Sequence, residues 1–402
     1  MDLSVETVDF IKAHLNDDVR KLALSSHPEG VDKHAALVQI SGYQTAAVKL
    51  PEWAASANLL WPEHLPLEQC TSQQLALFKA DIVDGILEPG FRMADMTGGM
   101  GVDCFYLSRN AGDVLYNDLN PDLCSLAAHN LPLLGRRVSV SNVRAEDFLN
   151  GHPGEHFGLL YIDPARRSSS GRKLVSLKDC MPDMTLMQNM MLEMSDFVIV
   201  KMSPMLDIST ALRELKCVKQ LWCLSLCGEC KELLAVMQPG FSDETEIIAV
   251  NISMDGIAGR QLRSTLSADG SLQQTFASED GLTQGCCIYE PFAAHMKSGL
   301  YRTICSEYGV RQLHPNSHLF VSDAPVVDFP GRTFRIVETV GFDRRSATGL
   351  FRTYPQANIT VRNFPMTADE LRNRFKVRDG GTHYVFATTV NPNKKVLIVC
   401  ER

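Results

Sequence analysis

Between residues 85 and 255, short apolar runs alternate with stretches of helical period. The runs 92–96, 113–117, 137–141, 158–163, 196–201, 220–226 and 244–252 read as seven strands, with helices between the first five. This alternation predicts an α/β fold: a seven-stranded doubly wound, Rossmann-like sheet, with ligands at the carboxyl ends of its strands. Upstream, Val8, Ile11, Leu15 and Val19 recur at helical spacing, Ala35, Val38, Ile40, Ala46 and Val48 less regularly, and Pro51, Pro62 and Pro66 punctuate the region. Thr71-Ser72-Gln73-Gln74 reads as a capping box with Thr71 at the N-cap. It opens a helix through Leu75, Leu77, Phe78, Ile82 and Val83. Downstream, Asp269-Gly270 suggests a hairpin, 291–308 a helix, and 332–337, 358–361, 384–389 and 395–400 strands. Thr367 followed by Glu370 caps a further helix. Four domains are expected: a helical 1–75, an α/β 76–255, a small α+β 256–329 and a small α/β 330–402.

Charge changes this picture in one respect. A net charge of −8 excludes a uniformly basic nucleic-acid binder. Residues 331–402, however, hold 13 Lys and Arg against 6 Asp and Glu, whereas the remainder holds 26 against 41. A basic tail on an acidic body suits docking of a polyanion. No stretch approaches the roughly 18 uninterrupted apolar residues of a membrane span. The start MDLSVETVDF lacks an export pattern, and the 12 Cys are scattered. Both features predict a cytoplasmic protein with reduced thiols. Cys227-Gly-Glu-Cys230 has no second pair at metal spacing, and Pro315 breaks any helix that would align His314 with His318. No metal site is therefore expected.

Candidate chemistry gathers at the predicted strand ends. Asp95 closes the first strand and is followed by Thr97-Gly98-Gly99-Met100-Gly101-Val102-Asp103. Glycines there let a ligand touch backbone, and the amides opening the next helix form an electropositive pocket. The dinucleotide pattern G-x-G-x-x-G fails at Cys104. Asp118, in Asn117-Asp118-Leu119-Asn120-Pro121, ends the second strand, about 20 residues beyond the glycine turn, where an acid can accept from ribose hydroxyls. Glu146 or Asp147 follows the third strand, and Asp163-Pro164-Ala165-Arg166 the fourth. Beyond lies a basic loop with Arg167, Arg172 and Lys173, suited to phosphate. Lys201 ends an apolar strand and is expected at the site mouth, against phosphate or a carboxylate. Arg362 lies in the basic tail, and the helix after Thr367 adds Arg372, Arg374 and Lys376 as candidate RNA-backbone contacts.

With Asp95, the glycines, Asp118 and Asp163 in this order, residues 85–255 resemble the class I S-adenosylmethionine-dependent methyltransferases. The flanking stretches Tyr289-Glu290-Pro291-Phe292, His314-Pro315-Asn316-Ser317-His318 and Val361-Arg362-Asn363-Phe364-Pro365 resemble the bacterial group with a helical N-terminal domain, a ferredoxin-like insert and a C-terminal THUMP-like domain. The resemblance implies S-adenosylmethionine as cofactor, held by Asp95, Thr97, Gly98, Gly99, Gly101, Asp103, Asp118, Leu119 and Glu146 or Asp147. It implies the cofactor and association with RNA more than a defined substrate; the leading expectation is methyl transfer to structured RNA such as tRNA or rRNA, at an exocyclic or ring nitrogen, with Asp163, Pro164 and Arg166 at the acceptor. Two departures stand out. Enzymes that modify exocyclic amines carry Asp-Pro-Pro-aromatic where this chain has Ala165 and Arg166. Uracil-C5 enzymes need a cysteine where this chain has Met202, and a thioether cannot add to the ring. The altered motif also suits an RNA-binding protein whose methyltransferase fold is inactive, and the chain alone leaves a non-RNA acceptor open.

Overall fold

The computed structural model describes residues 3–166 and 176–402. The chain divides into two compact units. The first comprises Met1–Gln220, Glu232–Asp243 and Ser253–Ile257, and the second Leu221–Lys231, Glu244–Ile252 and Ala258–Arg402.

The first unit begins with helices α1 (Val5–His14), α2 (Val19–Leu24), α3 (Lys33–Lys49), α4 (Pro51–Ala54), α5 (His64–Gln69) and α6 (Gln73–Asp84). Oxygen-bearing side chains open α1, α2 and α3: Ser4, Asp18 and Asp32 accept from the first-turn amides. The cap of α6 differs from the sequence expectation. Ser72 is its N-cap and makes no side-chain bond there, while the Thr71 hydroxyl points elsewhere. Next come β1 (Arg92–Asp95), α7 (Val102–Leu107), β2 (Asp113–Asn117), α8 (Pro121–Leu133), β3 (Ser139–Ser141), α9 (Ala145–Asn150) and β4 (Phe157–Ile162). Short β5 (Ala165–Arg166) and β6 (Cys180–Met181) pair antiparallel. Then follow α10 (Met184–Glu193), β7 (Ser195–Met202), α11 (Ile208–Glu214), β8 (Val218–Leu226) and β9 (Glu229–Met237), the last two with residues in both units.

In this unit β9, β7, β4, β1, β2 and β3 lie side by side in that order. All neighbours are parallel except β9, which runs antiparallel to β7. The predicted strands recur with shifted ends, but β9 was absent from the expected seven and supplies the partner of β7. A buried cluster holds Leu50, Trp53, Trp61 and Leu67 together with Ala76, Tyr106, Tyr116 and Leu131. The N-terminal helices thus share a core with α6–α8 and β2. Gly42 permits this, since a Cβ there would collide with the Trp61 ring.

In the second unit β10 (Glu246–Ile252) pairs antiparallel with β11 (Leu262–Ser264). The expected hairpin at Asp269-Gly270 is instead α12 (Leu266–Ser271), capped by Thr265, with the buried Asp269 accepting from the amide and hydroxyl of Thr303. Then come β12 (Cys287–Pro291), α13 (Ala293–Ser298), α14 (Tyr301–Tyr308), β13 (Arg311–Gln312), β14 (Phe320–Ser322), β15 (Gly331–Gly341), α15 (Arg344–Thr353), β16 (Asn358–Arg362), α16 (Ala368–Phe375), β17 (His383–Val390) and β18 (Lys394–Glu401). The expected helix 291–308 is broken at Gly299, whose φ is +74°. Seven strands form one sheet in the order β13-β14-β12-β15-β18-β17-β16. Along β17 and β18 the side chains alternate: Phe386, Val396 and Ile398 join one core, Val385, Leu397 and Val399 the other. α16 has the full capping box between Thr367 and Glu370. No helix among the described residues is long and apolar enough to cross a membrane.

Candidate active site

At the carboxyl ends of β1, β2 and β4 the first unit holds a cavity of about 460 Å³. Asp95, Asp118 and Asp163 all line it, together with Asp103, Glu146, Arg144 and Lys201. Five carboxylates against two cations make it a place for positive charge.

The glycine turn is shaped by its neighbours. The amide of Met96 donates to the carbonyl of Tyr161 and that of Gly98 to Asn117, at 2.9 and 2.8 Å, so the turn is hung from the strands on either side. The Asn117 carboxamide in turn donates to the carbonyls of Met96 and Val143, fixing three loops together. A Cβ on Gly98 would fall into the ring of Tyr116, whereas one on Gly99, at φ +55°, would make only an ordinary contact with the Thr97 carbonyl at 3.9 Å. Gly98 is therefore needed by the fold, and Gly99 faces the cavity. Gly101, at φ +80°, packs on Leu131.

Each acid has its own environment. Asp95 is wholly buried; its Oδ1 accepts from the Thr97 amide at 3.1 Å, and its Oδ2 has no hydrogen-bond partner among the described residues. Burial pushes its carboxyl well above the usual range, and the nearby Asp103, Asp118 and Asp163 add to this. Asp118 accepts from the amides of Gly99 and Asn120, both at 2.8 Å. The Thr97 hydroxyl accepts from the Asp163 amide at 2.7 Å, pinning the end of β4 to the glycine turn.

Behind the cavity runs a buried chain of charge that sequence reasoning missed. The Lys79 ammonium, fully buried on α6, lies 2.7 Å from Asp103 Oδ1 and 3.1 Å from Glu232 on β9. Asp103 Oδ2 accepts from the hydroxyls of Thr71, at 2.8 Å, and Tyr161, at 2.7 Å. Lys201 Nζ sits 2.6 Å from Asp163 Oδ2, 3.2 Å from Thr71 Oγ1 and 3.6 Å from Asp103 Oδ2. Burial works against the charge on Asp103, but Lys79 and Lys201 override it and hold this carboxyl well below its usual range. Burial also opposes the Lys201 ammonium, and Asp163 and Asp103 override that, raising it far above an ordinary lysine. For Glu232 burial prevails and the carboxyl is raised. The signal for Lys79 and Glu232 was a lone charge within an apolar face: Lys79 among Leu75, Phe78, Ile82 and Val83, and Glu232 before Leu233-Leu234-Ala235.

The other expected residues fall as follows. Thr97, Gly98, Gly99 and Leu119 line the cavity; Glu146 does too, whereas Asp147 is exposed and is not among the lining residues, which separates the two. Of the Asp163–Arg166 run, Asp163 and Ala165 line it and Pro164 does not; Arg166 pairs through its backbone with Cys180. Arg167, Arg172 and Lys173 lie outside the described residues. Lys201 faces carboxylates inside the cavity, 12% exposed, rather than an outer phosphate surface. Arg362 and Arg332 both pair with the buried Glu290. Arg372 pairs with Asp369 and Asp379, while Arg374 and Lys376 are exposed. His314 contacts Asn363 and His318 stacks on Tyr301. Leu65, Pro66, Gln69, Cys70 and Thr71 add a wall from the N-terminal region, none of which the sequence places at the site.

Known proteins resemble this chain in sequence and in fold. Residues 331–402 match the model of the THUMP domain-like family, and residues 288–330 that of a ferredoxin-like domain. The crystal structure of a candidate methyltransferase from Porphyromonas gingivalis W83 is similar over 98% of this chain and 97% of that one, with 30% identity and a TM-score of 0.85. An uncharacterized S-adenosylmethionine-dependent methyltransferase of Mycobacterium tuberculosis is 25% identical over 327 residues, 78% of this chain and 80% of that protein. The fold is that of a doubly wound α/β methyltransferase with a helical N-terminus and small C-terminal modules. The chain belongs to the class I S-adenosylmethionine-dependent methyltransferases, in the bacterial group with a helical N-terminal domain and a C-terminal THUMP-like domain. Its cofactor is S-adenosylmethionine.

Proposed function

We propose that this methyltransferase modifies a base of structured RNA, such as tRNA or rRNA, at an exocyclic or ring nitrogen. The observation that carries the reading is the placement of Asp95, Asp118 and Asp163 around one cavity. The residues present fit the cofactor. Asp95 Oδ2 is a buried acceptor without a partner, matched to an ammonium. Asp118 and Glu146 stand at successive strand ends to accept from ribose and adenine, and the open side of Gly99 admits the nucleoside against backbone. Bound S-adenosylmethionine supplies an activated methyl group on a sulfonium. What remains for the protein is alignment. Asp163 accepts a hydrogen bond from the acceptor nitrogen and fixes its lone pair, and Thr97 fixes Asp163 through its backbone amide. The THUMP-like match at 331–402, the excess of cations there and the exposed Arg374 and Lys376 support RNA as the carrier of the base.

The test is mass spectrometry of nucleosides from RNA of cells with and without the gene product. One methylated nucleoside should disappear with the gene. Asp163→Ala should leave cofactor affinity within about threefold and abolish transfer; full transfer by this variant would remove Asp163 from the acceptor side.

A further inference from the structure

We infer that Lys201 is a specificity-determining residue: together with Asp163 it reads a flat acceptor ring that presents a hydrogen-bond donor beside a hydrogen-bond acceptor, as the pairing edge of a nucleobase does. The inference rests on the base-methylating reading above and adds a second point of contact to it.

The pair offers both halves of such an edge in one place. Asp163 accepts, and 38% of its side chain remains exposed at the cavity. Lys201 donates. Of its three N–H groups, one is directed to Asp163 at 2.6 Å and one to Thr71 at 3.2 Å. Asp103, at 3.6 Å, lies beyond hydrogen-bond length, so among the described residues one N–H is left for a ligand. Lys79 is the nearer cation to the acids behind it, 2.7 Å from Asp103 and 3.1 Å from Glu232, and Lys201 adds its charge to them from 3.6 Å without making a hydrogen bond to Asp103. The facing carboxylates keep the ammonium protonated throughout the physiological range, so it acts only as a donor.

The surroundings select a neutral ring over an anion. Apart from Arg144 and Lys201 the charged lining is acidic, which repels a carboxylate or phosphate acceptor. Pro66, Ala165, Met181 and Pro182 line the same cavity and provide apolar surface for the faces of a ring. The position is held from several segments. Thr71, from the loop before α6, bonds to both Asp103 and Lys201, so the ammonium cannot turn away without breaking that bond.

The experiment uses the full chain loaded with S-adenosylhomocysteine and the four uncharged ribonucleosides, with Lys201→Met, Lys201→Arg and wild type compared by ligand-observed NMR titration. At least one nucleoside should bind the wild type, Lys201→Met should weaken it by about ten- to a hundredfold, and Lys201→Arg should restore most of the affinity. S-adenosylhomocysteine affinity should stay within about threefold in all three proteins. Equal nucleoside binding by wild type and Lys201→Met, or no binding by either, overturns the inference. So does a tenfold loss of S-adenosylhomocysteine affinity in Lys201→Met, which would place Lys201 on the cofactor. Labelled methyl transfer to total RNA is read separately: base binding through Lys201 without transfer to RNA upholds this inference and sinks the RNA reading, and wild-type transfer rates to RNA in Lys201→Met sink this inference alone.

Discussion

The ammonium of Lys79 lies 2.7 Å from Asp103 and is buried without any exposed surface. It also holds Glu232, so one cation answers two buried acids. Lys79→Met removes that cation, leaving Glu232 buried without its ammonium and Asp103 with only the Thr71 and Tyr161 hydroxyls and the more distant Lys201. The expected loss of stability at pH 7 is about 3–5 kcal/mol, read as a lowered denaturation midpoint. Lys79→Met/Glu232→Gln should recover part of it, since one orphaned charge is then gone. The Asp103 carboxyl is depressed in the folded state, so its contribution is present above its ordinary pKa of 3.8 and is lost as pH falls through the lower folded value. In Asp103→Asn this acid-side loss should be smaller than in the wild type.

The two adjacent glycines should fail differently. Gly98→Ala drives a methyl into the ring of Tyr116 and should cost about 2–3 kcal/mol of stability, seen as a lower melting temperature. Gly99→Ala meets nothing closer than the Thr97 carbonyl at 3.9 Å but carries the left-handed strain of about 1–2 kcal/mol. Its methyl occupies the side of the turn that faces the cavity, so cofactor affinity measured by calorimetry should fall by more than the melting temperature suggests.

Cofactor binding should release a proton. Burial raises the Asp95 carboxyl well above 3.8, whereas an ammonium beside Oδ2 favours the ionised form. Affinity should therefore climb with pH until Asp95 is ionised in the empty protein, and calorimetry in buffers of different ionisation heat should show the released proton. The empty protein carries the opposite dependence: Asp95 contributes stability below its ordinary pKa that is lost as pH rises through the raised value. Asp95→Asn should abolish both the proton release and this slope.

The cations of the basic tail should separate into two groups. Arg374→Gln and Lys376→Gln change exposed side chains and should flatten the salt dependence of RNA binding, by roughly 0.7–0.9 in log–log slope for each phosphate left without its cation. Arg362→Gln instead strips a partner from the buried Glu290, a third of the arginine being exposed. It should lower stability by about 1–2 kcal/mol and leave the slope unchanged.

The parts of the site that could be read from sequence are those written in one local stretch. Asp95 with its glycines, Asp118 before Pro121 and Asp163 before Pro164 each combine a strand end with a turn signal, and all three acids reach the cavity. The charge chain could not be read so, because Thr71, Lys79, Asp103, Tyr161, Lys201 and Glu232 come from segments that meet only in the fold. Thr71 was misleading for a definite reason: its hydroxyl can serve a helix cap or a buried acid, and Asp103 takes it. The strand β9 opens with the polar stretch Glu229-Cys230-Lys231-Glu232, which masks the apolar run behind it. The helix Leu266–Ser271 formed across a turn signal because Thr265 caps it and Asp269 is held by Thr303. Helix α15 was overlooked because its inner face is little more than Ala347, Leu350 and Phe351 on an otherwise polar segment.

The bond between Asp118 and the Gly99 amide has a kinetic consequence. It holds the turn in the empty protein, so an arriving nucleoside finds the Gly99 backbone already shaped. Encounter should then be governed by passage past the exposed Leu65 and Leu119, and the heat-capacity change should track the apolar area that ligand and cavity bury together rather than any ordering of the turn.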